Sequence, residues 1–277
     1  MKKATVVGAS GFIGRRLVAH LQATGWDCSA PGRHDREFVR EDLGTVFYCA
    51  GLTADYARRP HDTVRAHVGL LDEILDHAQF DALVYLSSTR LYDSCKASSA
   101  QTIGEDAALC LDPAHPRHLY DLSKALGESL CRQVSGGRAR VARLSCVYAG
   151  ANDEDGFLAG LLRRLREPRA VPMLAIDSCA DAARDYVHVD DVLTALALIA
   201  TRGTRPVYNV AAGVNVSNAQ LFAHLGTLAG CELRALRSDP LPCPATISIE
   251  RMRSEFGWQP RPLLDRLPGL VREVVSC

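Results

Sequence analysis

The stretch "VVGASGFIGRRL", residues 6 to 17, constrains this chain more than any other. A short apolar run, "ATVV", ends at Gly8; Gly11 and Gly14 follow at three-residue spacing, and a helical pattern opens behind them. "ATVVGA" predicts a buried strand. "FIGRRLVAHLQATG" predicts a helix with Ile13, Leu17 and Leu21 inward and Gly25 as its stop. A turn this tight, with backbone N–H groups free at the helix N-terminus, accepts a pyrophosphate where side chains would obstruct it. Glycines alone are a weak signal. Placed between a strand and a helix, Gly8, Gly11, Phe12, Ile13 and Gly14 point to a dinucleotide site, against the plainer reading of a structural strand–helix turn.

The first half continues as alternation. "DCSAPG" is a weak strand, "TVFYCAG" and "ALVYLSS" are strong ones, and a helix over residues 62–77 separates the last two. A helix around Tyr120 and the strand "RARVARLSCVY" follow. Such alternation predicts an α/β fold: a Rossmann doubly wound parallel sheet with helices on both faces. After Tyr148 come the polar loop "GANDEDG", a basic helix over 157–167, a strand running into a helix in "RDYVHVDDVLTALALIA" with Asp190 or Asp191 near its start, the strand "PVYNVAAG", and a Pro-rich then helical end. The expected division is a nucleotide-binding domain over 1–150, with 184–212 returning to it. A smaller mixed substrate lobe is formed by 151–183 and 213–277.

Composition excludes several functions. Of 277 residues, Lys plus Arg number 32 and Asp plus Glu 32, so no net charge favours nucleic acid or an anionic membrane as the main partner. No apolar stretch approaches the ~18 residues of a membrane span, and the run after "MKK" breaks too early for a signal peptide. Ten cysteines occur without C-x-x-C or zinc-ligand spacing, several inside apolar strands. They fit small buried residues in a reducing compartment, so the expected location is the cytoplasm and no metal site is expected.

In "HLYDLSKALGE", Leu119, Leu122, Leu126 and Leu130 recur at helical spacing and predict one buried face. Tyr120 and Lys124 lie four apart on another. An ammonium beside a phenol lowers its pKa, so such a tyrosine can give a proton to a carbonyl oxygen as hydride arrives; the lysine can also hold ribose hydroxyls. Ser87 and Ser88 end the strand "ALVYLSS" at the edge where open α/β sheets bind ligands, and Ser88 can orient the same oxygen. Beyond the second strand, Ala30, Pro31 and Gly32 are followed by Arg33, whose guanidinium suits a 2′-phosphate and favours NADP; Asp35 keeps NAD open.

These segments together resemble the extended short-chain dehydrogenase/reductases, the NAD(P)-dependent nucleotide-sugar epimerases, dehydratases and reductases. "GASGFIG" is similar to the cofactor turn, and "VFYCAG", with Ala50 and Gly51, to the strand end beneath the adenosine half. "YLSSTRLY" is similar to the serine segment, "ARLSCVYAG" to the loop where cofactor and substrate meet, and "ARDYVHVDDVLTAL", "YNVAAG" and "FGWQPR" to later signatures. The resemblance implies a catalytic set of Ser88, Tyr120 and Lys124, with Tyr120 and Lys124 also touching the cofactor. It implies substrate contacts at Thr89, Cys146 and Arg184. Arg184 would meet a diphosphate, unless it forms a salt bridge with Asp185 or Asp190.

Four departures from the family pattern stand out. The segment before "TVFYCAG" is short, so the usual third strand is expected to be trimmed. His67 and Cys146 each replace a usual asparagine. Thr89 and Arg90 stand where sugar dehydratases carry an Asp–Glu pair, which argues against elimination. The expected activity is reduction of a 4-keto sugar on a nucleoside diphosphate. The alternatives are NAD-dependent 4-epimerisation, reduction of a non-sugar carbonyl, and a non-catalytic NAD(P)-binding sensor. The apolar rows on 62–77 and 119–132 suit either a core or helix pairing in a homodimer.

Overall fold

The computed structural model describes residues 2–95, 101–153, 156–167, 172–238 and 243–275. Positions 154–155 of the polar loop and 239–242 of the Pro-rich segment lie outside the described residues. The chain runs β1 (Lys2–Val7), α1 (Phe12–Ala23), β2 (Trp26–Ser29), β3 (Thr45–Tyr48), α2 (Pro60–Val64), α3 (Leu70–His77), β4 (Ala82–Ser88), β5 (Thr102–Ile103), α4 (His118–Val134) and β6 (Ala139–Leu144). It continues through β7 (Cys146–Tyr148), α5 (Phe157–Arg166), β8 (Met173–Cys179), β9 (Ala183–His188), α6 (Val189–Arg202), β10 (Val207–Val210), β11 (Asn215–Ser217) and α7 (Asn218–Ala229). It ends with β12 (Glu232–Arg237), β13 (Thr246–Ile247), α8 (Glu250–Phe256) and α9 (Leu263–Val275).

Six parallel strands form the main sheet in the order β10-β6-β4-β3-β1-β2. The chain moves from β1 out to β2, then crosses back to β3 on the other side of β1. That reversal opens the crevice at the carboxyl ends of β1 and β3, where doubly wound sheets take ligands. Between β2 and β3 the chain makes only a short 3₁₀ turn, Glu37–Arg40, so β2 is the sheet edge and the connection is as short as expected.

Neighbouring residues of single strands enter opposite cores, which is why these strands are apolar on both faces. Val6, Phe47 and Val84 pack with Leu17 and Leu21 of α1 and with Val192, Leu196 and Ile199 of α6. Val7, Tyr48 and Tyr85 pack with Leu71 and Ile74 of α3 and Cys131 of α4. Each fully buried aliphatic side chain here contributes about 1.5–3 kcal/mol. Ile13 is only half-buried, unlike Leu17 and Leu21, because the start of α1 lies at the open edge of the sheet.

A separate core joins Leu158, Leu162, Leu174, Leu221, Leu225, Leu233 and Leu267 from α5, β8, α7, β12 and α9. The chain returns to the first core twice. α6 and β10 do so, and so do Ile247, Ile249, Met252 and Trp258, a return that falls within the stretch grouped above with the small lobe. β9 joins β7 and β11 in a small three-stranded sheet between the two cores.

The α4 leucines do not line the buried face. The buried residues are His118, Tyr120, Asp121, Ser123, Lys124, Gly127, Glu128 and Cys131, while Leu126 is 51% exposed and Leu119, Leu122 and Leu130 are half-buried. The helix turns its polar side to the sheet because nearly every polar group there meets a partner, and a buried polar group with a partner carries little penalty.

Candidate active site

The glycine turn is held by close backbone approach. Gly8 has φ +83°, and a Cβ there would lie 2.6 Å from the Ala50 backbone nitrogen. A Cβ on Gly14 would lie 2.2 Å from the Gly8 carbonyl oxygen. Gly11 is different: its Cβ would meet nothing nearer than 3.4 Å. Gly8 and Gly14 therefore close the turn, while a side chain at Gly11 would make only ordinary contact with the Gly8 carbonyl. The N-terminus of α1 has no side-chain cap and no acidic residue in its first turn, so its free N–H groups and positive end suit a phosphate. Ala50 and Gly51 follow β3 alongside this turn, and a Cβ on Gly51 would sit 3.3 Å from the Lys124 ammonium nitrogen. Cradle, strand end and lysine therefore share one crevice, and the residues present fit a dinucleotide.

Ser88 ends β4 and Tyr120 opens α4, both nearly buried. The Ser88 hydroxyl accepts the Arg90 N–H at 3.2 Å and is near enough to the Tyr120 phenol to lower its pKa. Burial raises the Tyr120 pKa; the Ser88 hydroxyl and the Arg90 guanidinium lower it, and Asp121 raises it. Lys124 is not among the charges that shift the Tyr120 pKa in this structure. Its ammonium donates to the Leu86 carbonyl at 2.8 Å and lies 5.0 Å over the Tyr85 ring. The Arg90 guanidinium lies over the phenol ring, 4.5 Å from its centre. Burial itself lowers the Lys124 pKa to about 7, opposed by Cys49 and Glu128.

His67 is fully buried on a single π turn, Arg65–Gly69, between α2 and α3. Such turns are rare and concentrate at functional sites. Its Nε2 accepts the Leu52 N–H at 3.2 Å, so Nδ1 carries the proton and donates to Ser123 Oγ at 2.7 Å. Ser123 in turn donates to the Tyr120 carbonyl at 2.8 Å. The imidazole links the segment after Gly51 to the first turn of α4. Burial and the Lys124 charge lower its pKa to about 2, so it stays neutral.

Two further features bring α4 against the sheet. Glu128 accepts from Ser87 Oγ at 2.6 Å and from both Nε and Nη2 of Arg143, at 2.9 and 2.6 Å. Arg143 also donates to the Tyr92 hydroxyl at 2.7 Å, which donates to Asn209 at 2.9 Å. At Gly127 a Cβ would lie 2.4 Å from the Tyr85 hydroxyl, so only glycine allows this approach. Sequence reasoning missed Gly127 and Glu128. A glycine inside a strong helical pattern followed by an acid on the same face was the available signal.

Of the remaining expected residues, Arg33 is exposed on the turn beyond β2. Asp35 beside it accepts the Glu37 N–H at 3.0 Å and caps the 3₁₀ turn. Thr89 is half-buried directly after Ser88. Cys146 opens β7 and pairs in register with Tyr186 of β9, two residues from the exposed Arg184. Neither proposed acidic partner holds Arg184. Asp185 accepts the N–H groups of Ala212 and Gly213 at 2.7 Å and of Val214 at 3.2 Å, and Asp190 faces His188 at 3.4 Å. Asp153 in the polar loop, not singled out from sequence, accepts from Ala149 and Gly150 and from Arg16 of α1, tying the loop to the cofactor helix.

Known proteins with this arrangement agree in kind. The chain is 29% identical to GDP-6-deoxy-D-mannose reductase of Pseudomonas aeruginosa, over 92% of this chain and 91% of that protein. It is 29% identical to dTDP-6-deoxy-L-talose 4-dehydrogenase (NAD(P)(+)) of Kitasatospora kifunensis, over 94% and 91%. The solved structure of RMD from Pseudomonas aeruginosa complexed with NADPH matches with a TM-score of 0.80 at 26% identity, covering 100% of both chains. The profile of the NAD dependent epimerase/dehydratase family matches residues 4–211. With the cofactor turn, the strand-end serine and the Tyr120–Lys124 helix in one crevice, the chain belongs to that family.

Proposed function

We propose that this protein is an NAD(P)H-dependent reductase of a 4-keto sugar carried on a nucleoside diphosphate. One observation carries the reading: Ser88 and Tyr120 meet at the carboxyl end of β4, beside the glycine cradle, with Thr89 and Arg90 next to them instead of an acid pair. A reduction needs a single proton donor, and Tyr120 is that donor; an elimination needs a further acid and base, and the two positions after Ser88 carry Thr89 and Arg90 instead. The names of the relatives, a keto-sugar reductase and a deoxysugar 4-dehydrogenase, support the same class.

When bound, the nicotinamide supplies hydride to the carbonyl carbon. Ser88 donates a hydrogen bond to the carbonyl oxygen and sets its distance from Tyr120. The carbonyl π pair moves onto that oxygen, which takes the phenolic proton and leaves a Tyr120 phenolate to be reprotonated from water. Lys124, next to Gly51, holds the nicotinamide ribose in this reading, which their proximity supports. Thr89, Cys146 and Arg184 are the substrate contacts in this reading, with Arg184 unpaired by its acidic neighbours and suited to the diphosphate. Arg33 on the β2 turn suits a 2′-phosphate, while Asp35 is engaged in its own cap, so NADPH is the preferred donor.

Two coarser inferences accompany this one. The outward row of α4, with Leu126 51% and Val134 53% exposed and Val64 of α2 42% exposed, fits a homodimer formed through these helices. Every described cysteine is a free thiol, which fits a reducing cytoplasm.

The test is turnover of a nucleoside-diphosphate 4-keto-6-deoxysugar with NADPH or NADH, for wild type and Tyr120→Phe. Wild type is expected to reduce the sugar and the variant to lose turnover by ~100-fold or more while retaining cofactor affinity. Full activity in Tyr120→Phe overturns the assignment. Purification with tightly held NAD and no net consumption of NADPH would replace it with 4-epimerisation.

A further inference from the structure

Arg90 lies on the short helical turn Thr89–Tyr92 that follows β4. Its guanidinium carbon is 4.5 Å over the Tyr120 ring and 5.2 Å from the Tyr56 ring, and the two phenols are 5.5 Å apart. Its Nε is 3.9 Å from Asp121, a carboxylate only 2% exposed whose Oδ1 has no hydrogen bond. Its backbone N–H is held by Ser88. The side chain therefore has two aromatic faces and one buried anion to keep it in place, and 29% of it remains exposed to solvent.

The groups that face Tyr120 come from four directions. Ser88 closes β4. Tyr56 and Arg90 cover the ring. His67 on the π turn meets it edge-on, centroids 5.2 Å apart, and is held neutral by burial and the Lys124 charge. Asp121 is adjacent on α4, with Asp93, Arg117 and His118 acting on it in turn. Lys124, the other cation of the site, is directed to the Leu86 carbonyl. A guanidinium over an aromatic face is attracted to the ring, and more strongly once the ring carries negative charge.

We propose that Arg90 is a positioning residue for Tyr120, and that its stacked guanidinium is the cation that stabilises the phenolate left when the substrate oxygen takes the proton. This rests on the reductase reading above. In balance, hydride forms the new C–H bond, the carbonyl pair becomes the O–H bond, and the Tyr120 O–H pair stays on the phenol oxygen beneath Arg90. Asp121 fixes the guanidinium and partly offsets its charge. The burial that raises the Tyr120 pKa and the Arg90 charge that lowers it then act against each other.

The experiment separates this inference from the reductase reading. Tyrosinate absorbance is titrated with oxidised cofactor present in wild type, Arg90→Met and Arg90→Lys, each subtracted from its partner carrying Tyr120→Phe as well. The difference reports Tyr120 alone and needs no sugar substrate. Arg90→Met is expected to raise the midpoint by about one pH unit, a tenfold loss of phenolate at a given pH, and Arg90→Lys by less. The pH profile of kcat shifts in parallel. Arg90→Gln, also neutral, makes the same comparison if Arg90→Met does not fold. An unmoved midpoint in the neutral variants overturns the proposal, and so does an equal rise in Arg90→Lys. Absence of keto-sugar turnover by wild type counts against the reductase reading alone.

Discussion

His67→Asn isolates the pH response of one buried imidazole. In the folded chain the His67 pKa is held at about 2 by burial and Lys124, against 6.5 for an ordinary histidine. The unfolded chain therefore binds a proton below pH 6.5 that the folded chain does not. Stability is fully present above that pH and falls by about 1.4 kcal/mol per unit as pH drops toward the folded value. Between pH 7 and pH 5 this single residue removes about 2 kcal/mol, or about 4 °C in Tm for a chain of this size. Lys124 does not confuse the window: with a folded pKa of about 7 its stability change lies almost wholly above pH 6. Asp121, Asp185 and His188 also have shifted pKa values, but both proteins share them and their effects cancel in the comparison. Asparagine does not titrate. The assay is thermal unfolding of both proteins at pH 7 and pH 5, and wild type is expected to lose about 4 °C more than the variant. Parallel losses would show that the imidazole titrates freely in the folded chain, and the neutral link from Leu52 to Ser123 would fall with it.

Two further outcomes follow from the cofactor turn and the outer face of α4. Arg33→Ser is expected to raise KM for NADPH by ~10-fold and to leave KM for NADH nearly unchanged, the mark of a lost 2′-phosphate contact; equal changes for both donors would remove Arg33 from the site. Leu126→Glu combined with Val134→Glu places like charges on the exposed helix row and is expected to convert a dimer to a monomer by light scattering. An unchanged mass, whether dimer or monomer in both proteins, would refute pairing through α4.

The doubly wound sheet was legible because its signals are local. "ATVV", "TVFY" and "ALVYLSS" are apolar on both faces, and the glycine turn specifies its own strand and helix. The small lobe was less legible. β8 and β12 pair parallel although β9, α6, β10, β11 and α7 separate them along the chain, and "MLAIDSC" and "ELRALR" mix polar and apolar residues, because each covers one side of a small core only. The return of 246–258 to the first core depends on Met252 and Trp258 finding space beside α6, a long-range contact with no local trace.

Helix α4 shows where pattern reasoning fails. Hydrophobic periodicity assigns the leucine row to the interior, since apolar burial is the usual source of helix packing. Here the interior side carries Tyr120, Ser123, Lys124 and Glu128, and it is stable only because Leu86, His67, Ser87 and Arg143 supply partners from three other segments. Glycine at 127 lets the helix come close enough for those bonds to form, against Tyr85. No periodicity can show that arrangement. What the sequence does show is the choice of residue types: a glycine and an acid in mid-helix, and an arginine two residues after the strand-end serine. Each departs from an ordinary amphipathic helix or strand end. In the fold, Gly127 and Glu128 set the position of the tyrosine and Arg90 supplies the charge over it, so the departures from the pattern are the parts of the sequence that carry the chemistry.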